Sequence, residues 1–259
     1  MSRSNLKLNI ITMNIHKGFS SFERNFVLHQ LKEAFDKVSS DLIFLQEVQG
    51  ENQRRAHRLP NWPETSQYEF LADRIWRDYA YAKNAVYPHG HHGNAILSKF
   101  PILNSQHVSL SVNRWEQRGL LHCEIILPPT QQRLHAICVH LNLLHKDRKH
   151  QYQLLSEYIS SSIAETEALI LAGDFNDWSN KAQQSFPREH QFVEAFEAVD
   201  GSPAKSFPSF FPILRLDRIY IRGLKARSVE VLKGKPWRAL SDHAALWAEL
   251  ELERPSKRE

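Results

Sequence analysis

Cysteine is scarce in this chain, and its scarcity excludes several classes of protein. Only 2 of the 259 residues are cysteine, and both, Cys123 and Cys138, lie inside apolar runs typical of β-strands. A secreted scaffold held by disulfides, or a zinc site built from clustered thiolates, needs more cysteines at closer spacing. We therefore expect the two cysteines to be small residues of the core.

Long apolar runs, internal repeats and low-complexity segments are also absent. No run approaches the roughly 20 apolar residues that cross a bilayer as a helix. The N-terminal residues MSRSNLKLNIITMN lack the apolar core and cleavage site of a signal peptide, so we expect a cytoplasmic protein. The length predicts one globular domain over residues 1–253, and residues 254–259 are expected to form a frayed tail.

Short apolar or alternating runs, which are typical of β-strands, are frequent. The predicted strands are LKLNIITMNI, DLIFLQEV, NAILSKFPI, RGLLHCEIIL, RLHAICVHLN, ALILAGDFN, RLDRIYIRG and HAALWAELEL. Helical spacing occurs in FERNFVLHQLKEAFDKV and RKHQYQLLSEYISSSIAE, and more weakly from Glu189 to Ala198. Some strands follow one another directly and others are separated by a helix. This order favours an α/β fold with two mixed sheets packed face to face and helices outside.

Polar side chains recur where these strands end. They are Asn14, Glu47, His140 with Asn142, Asp174 with Asn176, Asp217, and Asp242 with His243. Each one alone has a structural explanation, such as a turn or a strand-end hydrogen bond. Together they gather several carboxylates at one sheet edge, where they repel one another unless a cation or a proton intervenes. Oxygen ligands with few cysteines favour Mg²⁺ or Mn²⁺ over zinc.

The same segments resemble the endonuclease/exonuclease/phosphatase superfamily, which includes deoxyribonuclease I-like enzymes, exonuclease III, inositol polyphosphate 5-phosphatases and neutral sphingomyelinases. The matching segments are TMNIHKG, FLQEV, GNAILSKFPI, RGLL, VHLN, LAGDFND, RLDRIYI and LSDHAAL, in the order of the family. The resemblance implies a four-layer α/β/β/α sandwich. It also implies a divalent-metal-dependent phosphodiesterase that uses Mg²⁺ or Mn²⁺.

The resemblance assigns roles residue by residue. It implies that Glu47 is the principal metal ligand, with Asn14 beside it and Asp242 close to the metal. Asp174 and Asn176 would orient or deprotonate the attacking water, and His243, held by Asp217, would bind a phosphate oxygen or accept a proton. The predicted catalytic residues are His140, Asp174, Asn176, Asp217 and His243, and the predicted substrate-binding residues are Arg118 and Asn142.

The substrate is less determined than the chemistry. The net charge of +4 and the basic stretch from Arg215 to Arg238 favour a nuclease acting on DNA or RNA, although such a stretch is equally explained as a solvated face. The aromatic segment FPSFFP favours a phospholipid head-group or small-molecule phosphodiesterase, or is simply a rigid loop packed on the core. An inactive binding module is the remote alternative. The segment HGHHGN is expected to be a mobile loop near the site rather than a zinc site.

Overall fold

Two six-stranded β-sheets form the centre of the molecule in the computed structural model, which describes residues 6–128, 130–178 and 186–253. The first sheet has the order β11-β12-β1-β2-β4-β3 and the second the order β5-β6-β7-β8-β10-β9. The strands are β1 (Lys7–Asn14), β2 (Leu42–Asn52), β3 (Asp78–Tyr87), β4 (Gly90–Ser98), β5 (Ile102–Ser109), β6 (Gly119–Leu127), β7 (Gln132–His140), β8 (Ala168–Asp174), β9 (Val193–Glu194), β10 (Asp217–Arg222), β11 (Leu224–Leu232) and β12 (Ala245–Leu252).

Six α-helices accompany the sheets within the described ranges. They are α1 (Leu28–Val38), α2 (Gln53–Arg58), α3 (Gln67–Ala72), α4 (His145–Ser162), α5 (Phe186–Glu189) and α6 (Ala195–Asp200). The two longest connect parallel neighbours, because α1 joins β1 to β2 and α4 joins β7 to β8. The other strand pairs are antiparallel. The predicted mixed sheets are therefore confirmed.

The alternation of side chains along the strands creates the layers. In β1, Leu8 and Ile10 pack between the two sheets, whereas Ile11 and Met13 pack on the helix side of the first sheet. In the second sheet, Ile170 belongs to the core between the sheets, and its neighbours Leu169 and Leu171 pack against α4. Successive side chains of a strand point to opposite faces. Three buried apolar layers therefore separate helix, sheet, sheet and helix, as the resemblance implied.

Several details differ from the predictions. The segment NAILSKFPI is two elements, because β4 ends at Ser98 in one sheet and β5 begins at Ile102 in the other. Strands β3, β9 and β11 were not predicted, because β9 has only two residues and register shifts interrupt the alternation in β3 and β11. The predicted helix from Glu189 to Ala198 is interrupted by β9. HGHHGN is not a loop, because β4 begins at Gly90 and pairs with β2 and β3.

The two cysteines are free and buried, as predicted. The residues predicted to form a frayed tail, 254–259, lie outside the described residues. Within the described part of the chain, no helix is both long enough and apolar enough to cross a membrane.

Gly173, the residue before Asp174 in β8, is held where another side chain does not fit. Its φ is +146°, and a Cβ atom there would lie 2.0 Å from the carbonyl oxygen of Val139 on the neighbouring strand. We expect Gly173→Ala to lower the free energy of unfolding by at least about 3 kcal/mol, because backbone atoms of a sheet cannot move aside. Urea denaturation followed by circular dichroism measures this.

Gly201→Ala is the matched control for this prediction. Gly201 also has a positive φ, of +76°, but an added Cβ meets nothing within 4 Å. The substitution should cost only about 1 kcal/mol, which is the conformational part alone. If the two substitutions lowered the free energy of unfolding by the same amount, a steric requirement at Gly173 would be contradicted.

Candidate active site

The polar strand ends predicted from the sequence converge at one edge of the two facing sheets. His140 ends β7 and is the register partner of Asp174, which ends β8, and Asp174 is in turn the partner of Asp217 at the start of β10. Asn14 ends β1 in the opposite sheet. Along its strand, each of these residues is two or four positions from a side chain that packs between the two sheets. It therefore lies on the same face of the strand as that side chain. Alternation therefore turns the polar groups into the space between the sheets.

Asp174 is the centre of this group. Its Oδ2 accepts a hydrogen bond of 3.1 Å from Asn14 Nδ2, which joins the two sheets. The same oxygen lies 3.4 Å from His140 Nε2 and 3.7 Å from His243 Nε2. Its Oδ1 accepts a hydrogen bond of 3.0 Å from the backbone N–H of Asn176. Four predicted site residues from four segments therefore contact one carboxylate.

His243 carries the positive charge that balances this group. Its Nδ1 lies 2.9 Å from Asp217 Oδ2 in a buried hydrogen bond. Burial disfavours the charged imidazolium, but the carboxylates of Asp217 and Asp174 outweigh it and raise the pKa of His243 to about 10. His243 is therefore an imidazolium at neutral pH, oriented by Asp217 and directed with Nε2 towards Asp174.

The pKa values of Asp174 and His140 are both shifted so that the neutral form of each group is favoured. Burial raises the pKa of the Asp174 carboxyl to about 7, and His243 opposes the rise while Asp217 adds to it. Burial also holds the pKa of His140 well below its ordinary value, and nearby Arg118 lowers it further. At neutral pH, His140 is consequently neutral and Asp174 is close to its own pKa, which suits a group that exchanges a proton.

Glu47 is directed by an irregularity of β2. The pairing of β2 with β4 shifts register between Leu45 and Val48, and Glu47 has the left-handed backbone φ of +55°. This conformation costs a non-glycine residue about 1 to 3 kcal/mol and is found at functional sites. The carboxylate lies 3.0 Å from Lys17 Nζ. Burial would raise the pKa of Glu47, but Lys17 and His140 outweigh it and hold the pKa far below its usual range.

The carboxylates fit a divalent metal. Asp217 Oδ1 is a buried carboxylate oxygen that has no hydrogen-bond donor within the described part of the chain, and the buried Glu47 Oε2 has a single cationic partner, Lys17 Nζ at 3.0 Å. Such oxygens are costly unless a cation satisfies them. Asn14 is the register partner of Gln46, next to Glu47. Asp242 is brought close by Ser241, whose Oγ donates to the carbonyl oxygen of Asn14 at 2.7 Å.

A second arrangement of ligands also exists. Asp174, Asp217 and His243 each have a ligand atom within 4.8 Å of the others, so this cluster could also hold a metal ion. His243 can do so only after losing its proton, because an imidazolium has no free nitrogen lone pair.

The two predicted substrate-binding residues differ in their surroundings. Asn142 is buried in a network with α4, where its Oδ1 accepts from Gln151 Nε2 and its Nδ2 donates to Asp147. Both ends of its amide are therefore engaged in holding the loop after β7. Arg118 directly precedes β6 and donates to Glu116 Oε1 and to the carbonyl oxygen of Leu141. It is close enough to His140 to affect its pKa.

The basic stretch from Arg215 to Arg238 does not form one surface. Arg218 and Arg222 are buried within β10, and Arg222 donates to the backbone carbonyls of Ala164 and Glu167. Arg227 is paired with Glu251 on the edge of the first sheet. The stretch is therefore neither wholly a nucleic-acid-binding surface nor wholly a solvated face, because some of its arginines are buried and hold the fold together.

Two residues of the site had no predicted role. Lys17 lies in the NIHKG motif, two residues after the predicted strand, and pairs with Glu47. His92 lies in β4, and burial lowers its pKa to about 4 while the nearby charge of Glu47 opposes this. The position of Lys17 within this motif could have identified it as a site residue from the sequence. His92 could not be found without knowing that HGHHGN is part of a strand beside β2.

A family model described as the Endonuclease/Exonuclease/phosphatase family matches residues 11–243. The chain belongs to this family. The uncharacterized protein YbhP of Escherichia coli (strain K12) is 45% identical over 243 residues, which cover 94% of this chain and 96% of YbhP.

Solved structures agree on the fold. An endonuclease/exonuclease/phosphatase from Beutenbergia cavernae has a TM-score of 0.80 at 17% identity, over 96% of this chain and 72% of that one. A Bacteroides thetaiotaomicron mannosyl-6-phosphatase has a TM-score of 0.70 at 18% identity, over 94% of this chain and 99% of that one. D. rerio TDP2 with a single-strand DNA product has a TM-score of 0.66 at 17% identity, over 95% of this chain and 99% of that one.

The pKa of His243 should depend on Asp217. We expect Asp217→Asn in the metal-free protein to lower that pKa by about one to three units from its value of about 10, because the nearest opposite charge is removed. An NMR titration of the His243 ring protons measures the change. An unchanged His243 midpoint would contradict the ion pair.

The two metal arrangements can be separated by calorimetry with Mn²⁺. We expect Glu47→Gln to weaken binding at least about tenfold, because it removes the charged ligand. Asp217→Asn should change the dissociation constant by less than about threefold if the ion is held at Glu47. The reverse order of effects would assign the metal to the cluster of Asp174, Asp217 and His243. Circular dichroism of each variant checks that the fold is retained.

Proposed function

We propose that this protein is a divalent-metal-dependent hydrolase of phosphodiesters. The observation that carries the proposal is the buried group at Asp174, with the imidazolium of His243, the neutral imidazole of His140 and the carboxylate of Asp217 around it. A phosphodiester is an anion attacked by water. Its hydrolysis needs a proton acceptor, a donor to the phosphoryl oxygens and neutralisation of developing charge.

The proposed roles follow from the protonation states. Asp174, with its pKa of about 7, would accept the proton of the attacking water at neutral pH. His243 would donate from Nε2 to a phosphoryl oxygen, with Asp217 fixing its orientation through Nδ1. His140 would face the phosphate as a neutral ring. A Mg²⁺ or Mn²⁺ ion held by Glu47, with Asn14 and Asp242 beside it, would supply Lewis acid chemistry at the phosphoryl oxygen.

The remaining polar residues would position these groups. Asn176 Nδ2 donates to the carbonyl oxygen of Leu141 at 2.9 Å, which fixes the amide and leaves Oδ1 to orient the water. Arg118 suits a phosphate contact through its guanidinium group. Asn142 would act indirectly, by holding the loop that follows His140.

A nuclease acting on DNA or RNA is the first form of this proposal. It is supported by the net charge of +4 and by the likeness in fold to TDP2, which was solved with a single-strand DNA product. The burial of Arg218 and Arg222 weakens the support that the basic stretch provides. A phospholipid head-group or small-molecule phosphodiesterase is the second form, favoured by the exposed side chains of Phe210 and Phe211. The intact site disfavours an inactive binding module.

Asp174→Asn should keep the fold and lower hydrolysis at least about a hundredfold, because a positioned acid–base group is lost. The assay compares supercoiled plasmid, single-stranded DNA, RNA and phospholipid vesicles in Mg²⁺, Mn²⁺ or EDTA. Metal-dependent cleavage of a nucleic acid, lost in the variant, would support the nuclease. Release of a phosphorylated head group, also lost in the variant, would support the second form. Near-normal turnover by Asp174→Asn would refute the assignment of Asp174.

A further inference from the structure

Large apolar side chains are exposed on the loops around the candidate active site. We propose that these loops dock the protein on the surface of an anionic phospholipid bilayer. The apolar rim is defined as six residues in four segments of the chain: Phe22, Trp115, Leu143, Leu144, Phe210 and Phe211. Trp115 is 83% exposed and Phe22 75%. Single exposed apolar residues are common, but a group around one site marks an interaction surface.

The strand register places the rim at the site edge. Trp115 lies in the loop before Gly119, the register partner of His140. Leu143 follows the end of β7. Phe210 adjoins Ser209, whose N–H donates to the carbonyl oxygen of Asp242 at 2.7 Å. Phe22 follows Ser21, whose Oγ donates to the carbonyl oxygen of Ser241 beside Asp242 at 3.4 Å. Each segment of the rim is therefore joined to the candidate active site through the backbone or by a hydrogen bond.

The leucine pair is exposed although its loop is firmly held. Arg148 Nη1 donates to the carbonyl oxygens of Asn142 and Leu143, and Glu116 accepts the N–H of Leu143 at 3.0 Å. These backbone contacts fix the loop without using either leucine side chain. Leu143 and Leu144 are 59% and 65% exposed. The loop thus presents two aliphatic side chains to the surroundings without needing them for its own conformation.

The charges of the same loops are complementary to an anionic surface. Arg24 lies over the ring of Phe22 at 5.4 Å, and Arg114 lies over the ring of Trp115 at 4.5 Å. Lys146 is exposed beside the leucine pair. The carboxylates of these loops are engaged within the protein, since Glu23 pairs with Arg55, Glu116 pairs with Arg118, and Asp147 accepts from Asn113 and Asn142.

The mixture of side chains favours a bilayer over a nucleic acid. A nucleic acid would use aromatic rings as stacking platforms, and Leu143 and Leu144 offer no such face. At a bilayer surface, Leu, Phe and Trp side chains enter the boundary of the acyl region while Arg and Lys contact anionic head groups. Docking in this orientation would turn the site at Asp174 towards the head groups. Only this last step, which makes the head-group phosphodiester the substrate class, rests on the proposed function.

Vesicle flotation with the full chain tests the docking. In EDTA, the protein should float with vesicles of phosphatidylglycerol and phosphatidylcholine and bind vesicles of phosphatidylcholine alone at least about tenfold more weakly. The double substitution Leu143→Ser with Leu144→Ser should lower partitioning onto the anionic vesicles at least about tenfold, because two apolar side chains no longer enter the interface.

Leu103→Ser is the matched control. Leu103 is 58% exposed, but it lies near the start of β5, at the opposite end of that strand from the site. Its substitution should change partitioning by less than about twofold. Thermal unfolding of both variants, monitored by circular dichroism, checks that neither has lost the fold.

Asp174→Asn separates docking from hydrolysis. It should float like the unaltered protein, so a failure of the proposed function leaves the docking result intact. The proposal is overturned if the protein does not float with anionic vesicles, or if the double serine variant floats as well as the Leu103→Ser control. Absence of flotation together with binding to single-stranded DNA that Trp115→Ala weakens would assign the rim to a nucleic acid.

Discussion

The rest of the site depends on the close approach of two buried carboxylates. Asp174 and Asp217 are direct register partners on antiparallel strands, and both are buried. Two such anions repel strongly in a medium of low polarity. The repulsion is balanced by a shared partner, the imidazolium of His243, which lies between Asp217 Oδ2 and Asp174 Oδ2. The two carboxylates raise the pKa of His243, whereas burial raises the pKa of Asp174, with a further contribution from Asp217 and against the opposing charge of His243.

The scaffold maintains this balance through contacts between the two sheets. Asn14 donates to Asp174 across the gap. Deeper in the gap, Gln46 Nε2 lies 3.2 Å from Cys138 Sγ, and Asn94 Nδ2 donates to the carbonyl oxygens of Gly119 and Cys138. These polar links lie directly beside the apolar core, where a buried amide that lost its partner would be costly. They therefore fix the relative position of the strand ends that carry the charged residues.

Much of this could be predicted from single stretches of sequence. LILAGD predicts a buried strand that ends in an acid, and the structure has β8 ending at Asp174. The predicted catalytic residues His140, Asp174, Asn176, Asp217 and His243 are joined by contacts within the site. Asn142 was predicted from the same pattern, but its amide is used by α4. A strand-end amide that binds a ligand and one that holds a loop have the same local sequence, because only the tertiary neighbours differ.

The sequence by itself determined most of the strands and the two longest helices, the alternation that separates the two faces of a strand, and the residue types that end the strands. These are local properties of a chain with period-two and helical patterns. Only the tertiary structure decided which sheet β4 and β5 join, that Glu47 is directed by a register shift with φ of +55°, and that Lys17 and His92 are its neighbours. Register shifts, pKa values and exposed rims depend on residues distant in sequence, and no local pattern encodes them.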